Sequence, residues 1–131
     1  MVSESAGGGS SGRLKDLRIL IAEDKFLVAE GLKLVVKTAG ADVLGTVATV
    51  DGGLDYVTTE PIDVALVDMD LRGEFADRLI VGLIERSIPF IIVTGYQVLP
   101  LDYEADAIAV LHKPVDKEEL VDLLSTIPRR S

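Results

Sequence analysis

There is no cysteine in the 131 residues, which excludes disulfides and thiol chemistry and fits a reducing interior. No apolar run is long enough to cross a bilayer. No charged-then-apolar leader opens the chain, so neither a membrane association nor a secretory signal is expected, and the expected location is cytoplasmic. Cations are in short supply: thirteen Lys and Arg stand against twenty-two Asp and Glu, a net charge of −9. Nucleic-acid binding needs cations to displace counterions from phosphate, so that partner class is not expected. A cation site and a protein partner with a basic face are compatible with the charge, and so is simple solubility. The length suits one domain of ordinary size. No internal repeat occurs, which disfavours a solenoid.

What is present is an alternation of short apolar runs with helical spacings. Residues 1–13 include the Gly- and Ser-rich MVSESAGGGSSG and read as a disordered leader. Residues 14–128 form the expected domain and 129–131 a tail. Arg18 to Ala22 reads as a strand ending at Glu23 and Asp24. Lys25 to Ala39 reads as a helix, with Val28, Leu32, Val35 and Val36 on one face and Gly40 as its stop. Gly31 inside it costs about 1 kcal/mol relative to Ala. Asp42 to Val47 is a second strand weakened by Gly45, and Val50 to Thr59 a helix weakened by Gly52 and Gly53. The run IDVALVDMDLRG, Ile62 to Gly73, holds a doubly buried strand that ends at Asp68 and runs into a Gly-containing turn.

From Glu74 to Ser87 the set Ala76, Leu79, Ile80, Leu83 and Ile84 follows helical spacing. Pro89 opens a fourth strand, Phe90 to Val93, with Thr94, Gly95 and Tyr96 after it. Pro100 falls inside Gln97 to Asp106, so a helix there is expected to be short or irregular. Ala107 to Leu111 is a fifth strand, followed by His112, Lys113 and Pro114. In the last helix Asp116 and Glu119 match a capping box, and Val115 and Leu120 a hydrophobic staple. Leu120, Leu123, Leu124 and Ile127 form its buried stripe. The expected fold is α/β: a flavodoxin-like, doubly wound, five-stranded parallel sheet in the order 2-1-3-4-5.

That order gathers four strand ends on one rim. They carry Glu23 and Asp24, Asp68 and Asp70, Thr94, and Lys113. Each alone has a plain reading as a cap, a turn residue or a solvated lysine. Together they suggest phosphoryl transfer, with acids from two strands holding Mg²⁺ or another divalent cation. Asp68 would attack phosphorus, while Thr94 and Lys113 would stabilise the phosphoryl oxygens.

With these residues in place, the chain from Leu17 to Ile127 resembles a two-component response regulator receiver domain. The resemblance rests on Glu23-Asp24, on Asp68 in DVALVDMDL, on Thr94 after FIIV, and on Lys113-Pro114. It implies that a histidine kinase phosphorylates Asp68. It also implies a divalent metal held by Glu23, Asp24, Asp68 and the backbone carbonyl of Asp70, and a cis Lys113-Pro114 peptide. The domain would be a phosphoacceptor that assists its own phosphorylation and dephosphorylation, not an enzyme acting on a substrate. Its signal would pass to a downstream protein target or a phosphotransfer protein. RSIPFIIVTGY, with LRGE before it, is similar to a bacterial subgroup with a Phe-Ala-Thr-Gly-x-Tyr-like signature, whose kinases are often of the HWE or a related type. Ile92 and Val93 replace the Phe-Ala pair here.

Most receivers have Tyr or Phe where this chain has Val110, three residues before the lysine. Valine cannot swing between buried and exposed poses as that aromatic does. Val110 therefore puts the usual threonine–aromatic switch in doubt, and the expected switch moves Thr94 and reorders Gly95 to Asp106, with Tyr96 either the substitute aromatic or a half-buried loop residue. His112, the only histidine, reads as a strand-end residue. Two rival readings remain. A haloacid-dehalogenase-like phosphohydrolase shares the Asp-x-Asp run of Asp68 to Asp70, but with the acidic pair last in its chain. An inert pseudo-receiver would keep the fold without the chemistry.

Overall fold

Adjacent residues in the central strands face opposite cores. The computed structural model, which describes residues 12–95 and 105–130, places Ile19 and Ile21 in one apolar cluster and Leu20 and Ala22 in the other. Val64 and Leu66 alternate with Ala65 and Val67 in the same way, and Ile91 and Val93 with Phe90 and Ile92. A strand buried on both faces needs helices on both sides of its sheet, and the chain supplies them. In order the elements are β1 (Arg18–Ala22), α1 (Phe26–Thr38), β2 (Asp42–Val47), α2 (Val50–Thr59), β3 (Val64–Val67), β4 (Asp70–Leu71), β5 (Glu74–Phe75), α3 (Asp77–Glu85), β6 (Phe90–Thr94), β7 (Ala109–His112) and α4 (Lys117–Leu124).

The main sheet has the order β2-β1-β3-β6-β7, and every pairing in it is parallel. This is the expected 2-1-3-4-5 arrangement. Leu32 and Val36 of α1 pack with Leu120, Val121 and Leu124 of α4 on one face. Val50 and Val57 of α2 pack with Leu79, Ile80 and Leu83 of α3 on the other. Leu14 and Leu17, ahead of β1, are fully buried in the α1–α4 core. The segment Gln97 to Asp106, read as a short helix, lies outside the described residues except for a turn at its end, and Tyr96 lies outside them entirely.

Three glycines explain themselves through their neighbours. Gly45 adjoins an irregularity in the β1–β2 register and lies beneath the Tyr56 ring, where a Cβ would overlap it. Gly52 donates its N–H to Thr49 Oγ1 at 3.0 Å and completes the α2 cap. Gly53 is buried, and a Cβ there would lie 2.9 Å from both δ-carbons of Leu79. Gly53, which weakens α2 as an isolated helix, lets it approach α3. Gly31 differs: nothing lies within 4 Å of its would-be Cβ. Gly31→Ala should therefore stabilise by up to about 1 kcal/mol, and Gly53→Leu should destabilise by about 2 kcal/mol. Urea unfolding of the two variants measures both signs in one experiment.

The structure corrects one element. The helix expected from Glu74 begins only at Asp77, because Asp70–Leu71 and Glu74–Phe75 pair antiparallel as a small hairpin. Buried Met69 and Leu71 root that hairpin in the α2–α3 core. The Ala76 N–H closes its base on the Met69 carbonyl at 2.9 Å. Ile84, expected in the buried stripe of this helix, is 40% exposed.

Candidate functional site

Parallel strands bring their carboxyl ends to one edge, and the polar residues begin where the apolar runs stop. Glu23 follows β1, Asp68 follows β3, Thr94 ends β6 and Lys113 follows β7. Register does the rest. The Asp68 N–H donates to the Ala22 carbonyl at 2.9 Å, and the Lys113 N–H to the Thr94 carbonyl at 2.9 Å. Thr94 and His112 are register partners. His112 itself is exposed, as a strand-end residue.

Lys113 ties the site together. Its Nζ lies 2.7 Å from Asp68 Oδ2 and 2.7 Å from Glu23 Oε1. Burial alone would depress this ammonium, but its bonds to Asp68 and Glu23 outweigh that and hold its pKa above the ordinary lysine value. The Lys113–Pro114 peptide is cis. On the other side of Asp68, Oδ1 accepts the Asp70 N–H at 3.0 Å. Both oxygens of Asp68 are thus engaged, and the side chain is held in one pose.

Glu23 and Asp24 differ although they adjoin. Burial raises the Glu23 carboxyl above its ordinary value, and the charge of Asp68 adds to the rise against the opposing bonds from Lys113 and the Lys25 N–H. Burial also works against Asp24, but the N–H of Arg72, the charge of Lys25 and a bond with Glu23 prevail, so its pKa lies below the ordinary carboxyl value. Glu23, Asp24 and Asp68 each offer one oxygen, and those atoms lie within 4.8 Å of one another. Asp24 Oδ1 is buried without a hydrogen-bond partner. Clustered hard carboxylate oxygens, one of them unsatisfied, fit a small oxygen-seeking divalent cation.

The two aspartates of the Asp-Met-Asp run part company here. Asp70 Oδ1 accepts the Gly73 N–H at 2.9 Å and closes the hairpin turn. Its side chain is absent from the three-acid group, while its backbone N–H abuts Asp68. Thr94 is fully buried. Val110 pairs with Ile92 in register and packs, partly buried, against the α2–α3 core. No sequence signal points to the hairpin's contribution: Arg72, at its tip, donates its N–H to Asp24 Oδ2 at 3.0 Å.

A doubly wound parallel sheet with acids, a threonine and a lysine at its carboxyl edge defines a class of α/β signalling domain. The response regulator receiver domain family matches residues 19–125, and the chain belongs to that family, the receivers of two-component systems. The fold agrees. A CheY-like response regulator receiver domain from Methanospirillum hungatei JF-1 is 28% identical with a TM-score of 0.73, covering 81% of this chain and 88% of its own. The receiver domain of a modulated diguanylate cyclase from Desulfovibrio desulfuricans G20 is 26% identical with a TM-score of 0.76, covering 84% and 91%. A putative response regulator from Chloroflexus aurantiacus J-10-fl is 26% identical with a TM-score of 0.72, covering 83% and 98%. No curated protein sequence matches the chain. Among the described residues, no helix is long and apolar enough to cross a membrane.

Proposed function

We propose that this receiver domain is phosphorylated on Asp68 by a partner histidine kinase and passes the signal on through protein contacts. The observation that carries this reading is the bridge of Lys113 between Asp68 and Glu23, 2.7 Å to each, beside an Asp24 oxygen that has no partner. A carboxylate fixed by two donors and flanked by a cation is oriented to attack phosphorus. Glu23, Asp24, Asp68 and the Asp70 carbonyl would hold Mg²⁺ or a similar ion, which when bound supplies charge to offset the repulsion between nucleophile and donor.

In the step, an Asp68 carboxylate oxygen bonds to phosphorus and the leaving group departs with its electron pair. Lys113 exchanges part of its carboxylate contact for a phosphoryl oxygen, and Thr94 supplies a hydroxyl donor. Backbone coupling then carries the change outward, because Lys113 and Thr94 are joined by the N–H···O bond between their main chains. The segment after Gly95 is the responding element, with Tyr96 in place of the aromatic that Val110 cannot provide. A charge-driven reordering of a loop is an established kind of switch.

The kinase must bring its phosphohistidine to the same rim. Phe26 and Leu27, at the start of α1 and two and three residues after Asp24, are 73% and 81% exposed and offer an apolar contact for the kinase. An HWE-type kinase is the proposed donor, and a target protein or phosphotransfer protein the proposed recipient, in a bacterial cytoplasm.

Incubation with acetyl phosphate and Mg²⁺ tests the reading by intact-mass spectrometry. One phosphoryl group per chain is expected, mapping to the peptide that holds Asp68. EDTA should reduce the labelling rate by at least about a hundredfold, since charge compensation is lost. Continuous release of phosphate from a phosphomonoester, without a labelled protein, would instead indicate a hydrolase.

A further inference from the structure

Arg72 and Gly73, which join β4 to β5, both have positive φ, +55° and +82°. Leu71 pairs with Glu74 and Asp70 with Phe75. The hairpin therefore closes through a two-residue loop of the type I′ kind, whose first position favours Asn, Asp or Gly. A long side chain in left-handed backbone is strained, yet arginine stands there. The turn itself has no use for it. The Arg72 N–H bond to Asp24 is one that any residue except proline could donate. Its guanidinium makes no hydrogen bond or ion pair among the described residues, whereas nearby Arg78 is fixed between Glu74 and Asp51 at 3.0 Å from each. Strain retained at the rim of a site points to a use for the side chain that causes it.

Charge and reach indicate the use. Lys113 is already shared by two carboxylates, so it has little charge to spare for an approaching anionic donor, and the charge of a bound divalent cation would be partly offset by Glu23, Asp24 and Asp68. Arg72 lines a small cavity of ≈ 160 Å³ with Glu23, Asp24 and Phe26, beside Asp68 rather than over it, since Asp68 is not among the lining residues. The Asp24 carboxylate to which it is tethered has an oxygen within 4.8 Å of one on Asp68, a span that an extended arginine covers. Lys25 also flanks Asp24, but it carries no such backbone strain.

We propose that Arg72 recognises the phosphoryl group of the incoming donor and delivers it to Asp68. The proposal rests on Asp68 as phosphoacceptor. The guanidinium pairs with two non-bridging phosphoryl oxygens, a match to its planar fork. With acetyl phosphate, an Asp68 oxygen forms the new P–O bond, the P–O bond to the acetyl group breaks, and acetate leaves with the electron pair. Arg72 neither gains nor loses a proton.

The test is Arg72→Asn, which suits the turn and keeps the N–H to Asp24. Labelling by acetyl phosphate with Mg²⁺ should slow about fivefold at low donor concentration, through a higher half-saturating concentration. The melting temperature should rise by a few degrees, so the loss cannot come from unfolding. Arg72→Lys should recover part of the rate, keeping charge without the fork. Equal labelling of wild type and Arg72→Asn would overturn the proposal and reduce Arg72 to a turn residue. So would a defect confined to transfer from a kinase, which would make it a docking residue. Failure of the wild type itself to label on Asp68 would count against the phosphoacceptor reading instead.

Discussion

Asp68→Asn should abolish labelling by acetyl phosphate, to below about a thousandth of the wild-type rate, while leaving the fold intact. Asparagine fills the same space and can still accept the Asp70 N–H, a 3.0 Å bond in the native site. Lys113 keeps its 2.7 Å contact with Glu23. The substitution also removes one of the charges that raise the Glu23 carboxyl. Stability should therefore change by less than about 1 kcal/mol. Mg²⁺ affinity, followed by amide shifts at Glu23 and Asp24, should fall at least about tenfold with one of three carboxylates gone. Asp70→Asn is the informative partner. Asp70 spends its carboxylate on the Gly73 N–H, so this variant should label within about threefold of wild type. A hydrolase built on Asp-x-Asp needs both acids and would lose activity in either variant.

The contrast shows what could be read before the structure. Strand parity, helix periodicity and the polar residues at strand ends gave the sheet order, and with it the convergence of Glu23, Asp24, Asp68 and Lys113. Those features are local patterns whose meaning a standard topology completes. The β4–β5 hairpin was not legible for a related reason. Arg-Gly lacks the Asn-Gly signal of a type I′ loop, and the apolar spacing from Ala76 onward extrapolates smoothly back through Glu74. The resemblance assigns only the backbone carbonyl of Asp70 to the site, and spacing cannot show that its carboxylate closes the turn on the Gly73 N–H. Gly53 of α2 weighs against a helix only while its neighbour is unknown. Tertiary contact with Leu79 reverses that argument.

Asp63 is the strongest case of a residue whose role the sequence concealed, and replacing it should do the most damage to stability. In the run before Asp68 it reads as a stray acid among apolar residues. In the structure it is fully buried. Its Oδ2 accepts the Arg18 N–H at 2.7 Å and the Arg18 Nε–H at 3.3 Å, and its Oδ1 accepts the Arg130 N–H. It therefore joins the start of β1, the start of β3 and the end of the chain at the edge opposite the site. Asp63→Ala would strand a buried backbone donor and leave the Arg18 guanidinium without its carboxylate. The expected loss is about 3 kcal/mol, or about 10 °C in melting temperature.

The pH dependence follows from the same contacts. Burial opposes ionisation of Asp63, but the bonds from Arg18 and Arg130 win and lower its pKa below the ordinary 3.8. Folding therefore favours the ionised form, and the resulting stability is fully present above that ordinary value. It is lost as pH falls through the lower, folded-state value. Arg18 stays charged across this range. Urea unfolding of wild type and Asp63→Asn should thus differ by a constant amount between about pH 5 and pH 7, and the gap should narrow below about pH 4. A gap that stayed constant to pH 3 would mean that Asp63 acts through shape and hydrogen bonding alone, with its charge contributing nothing.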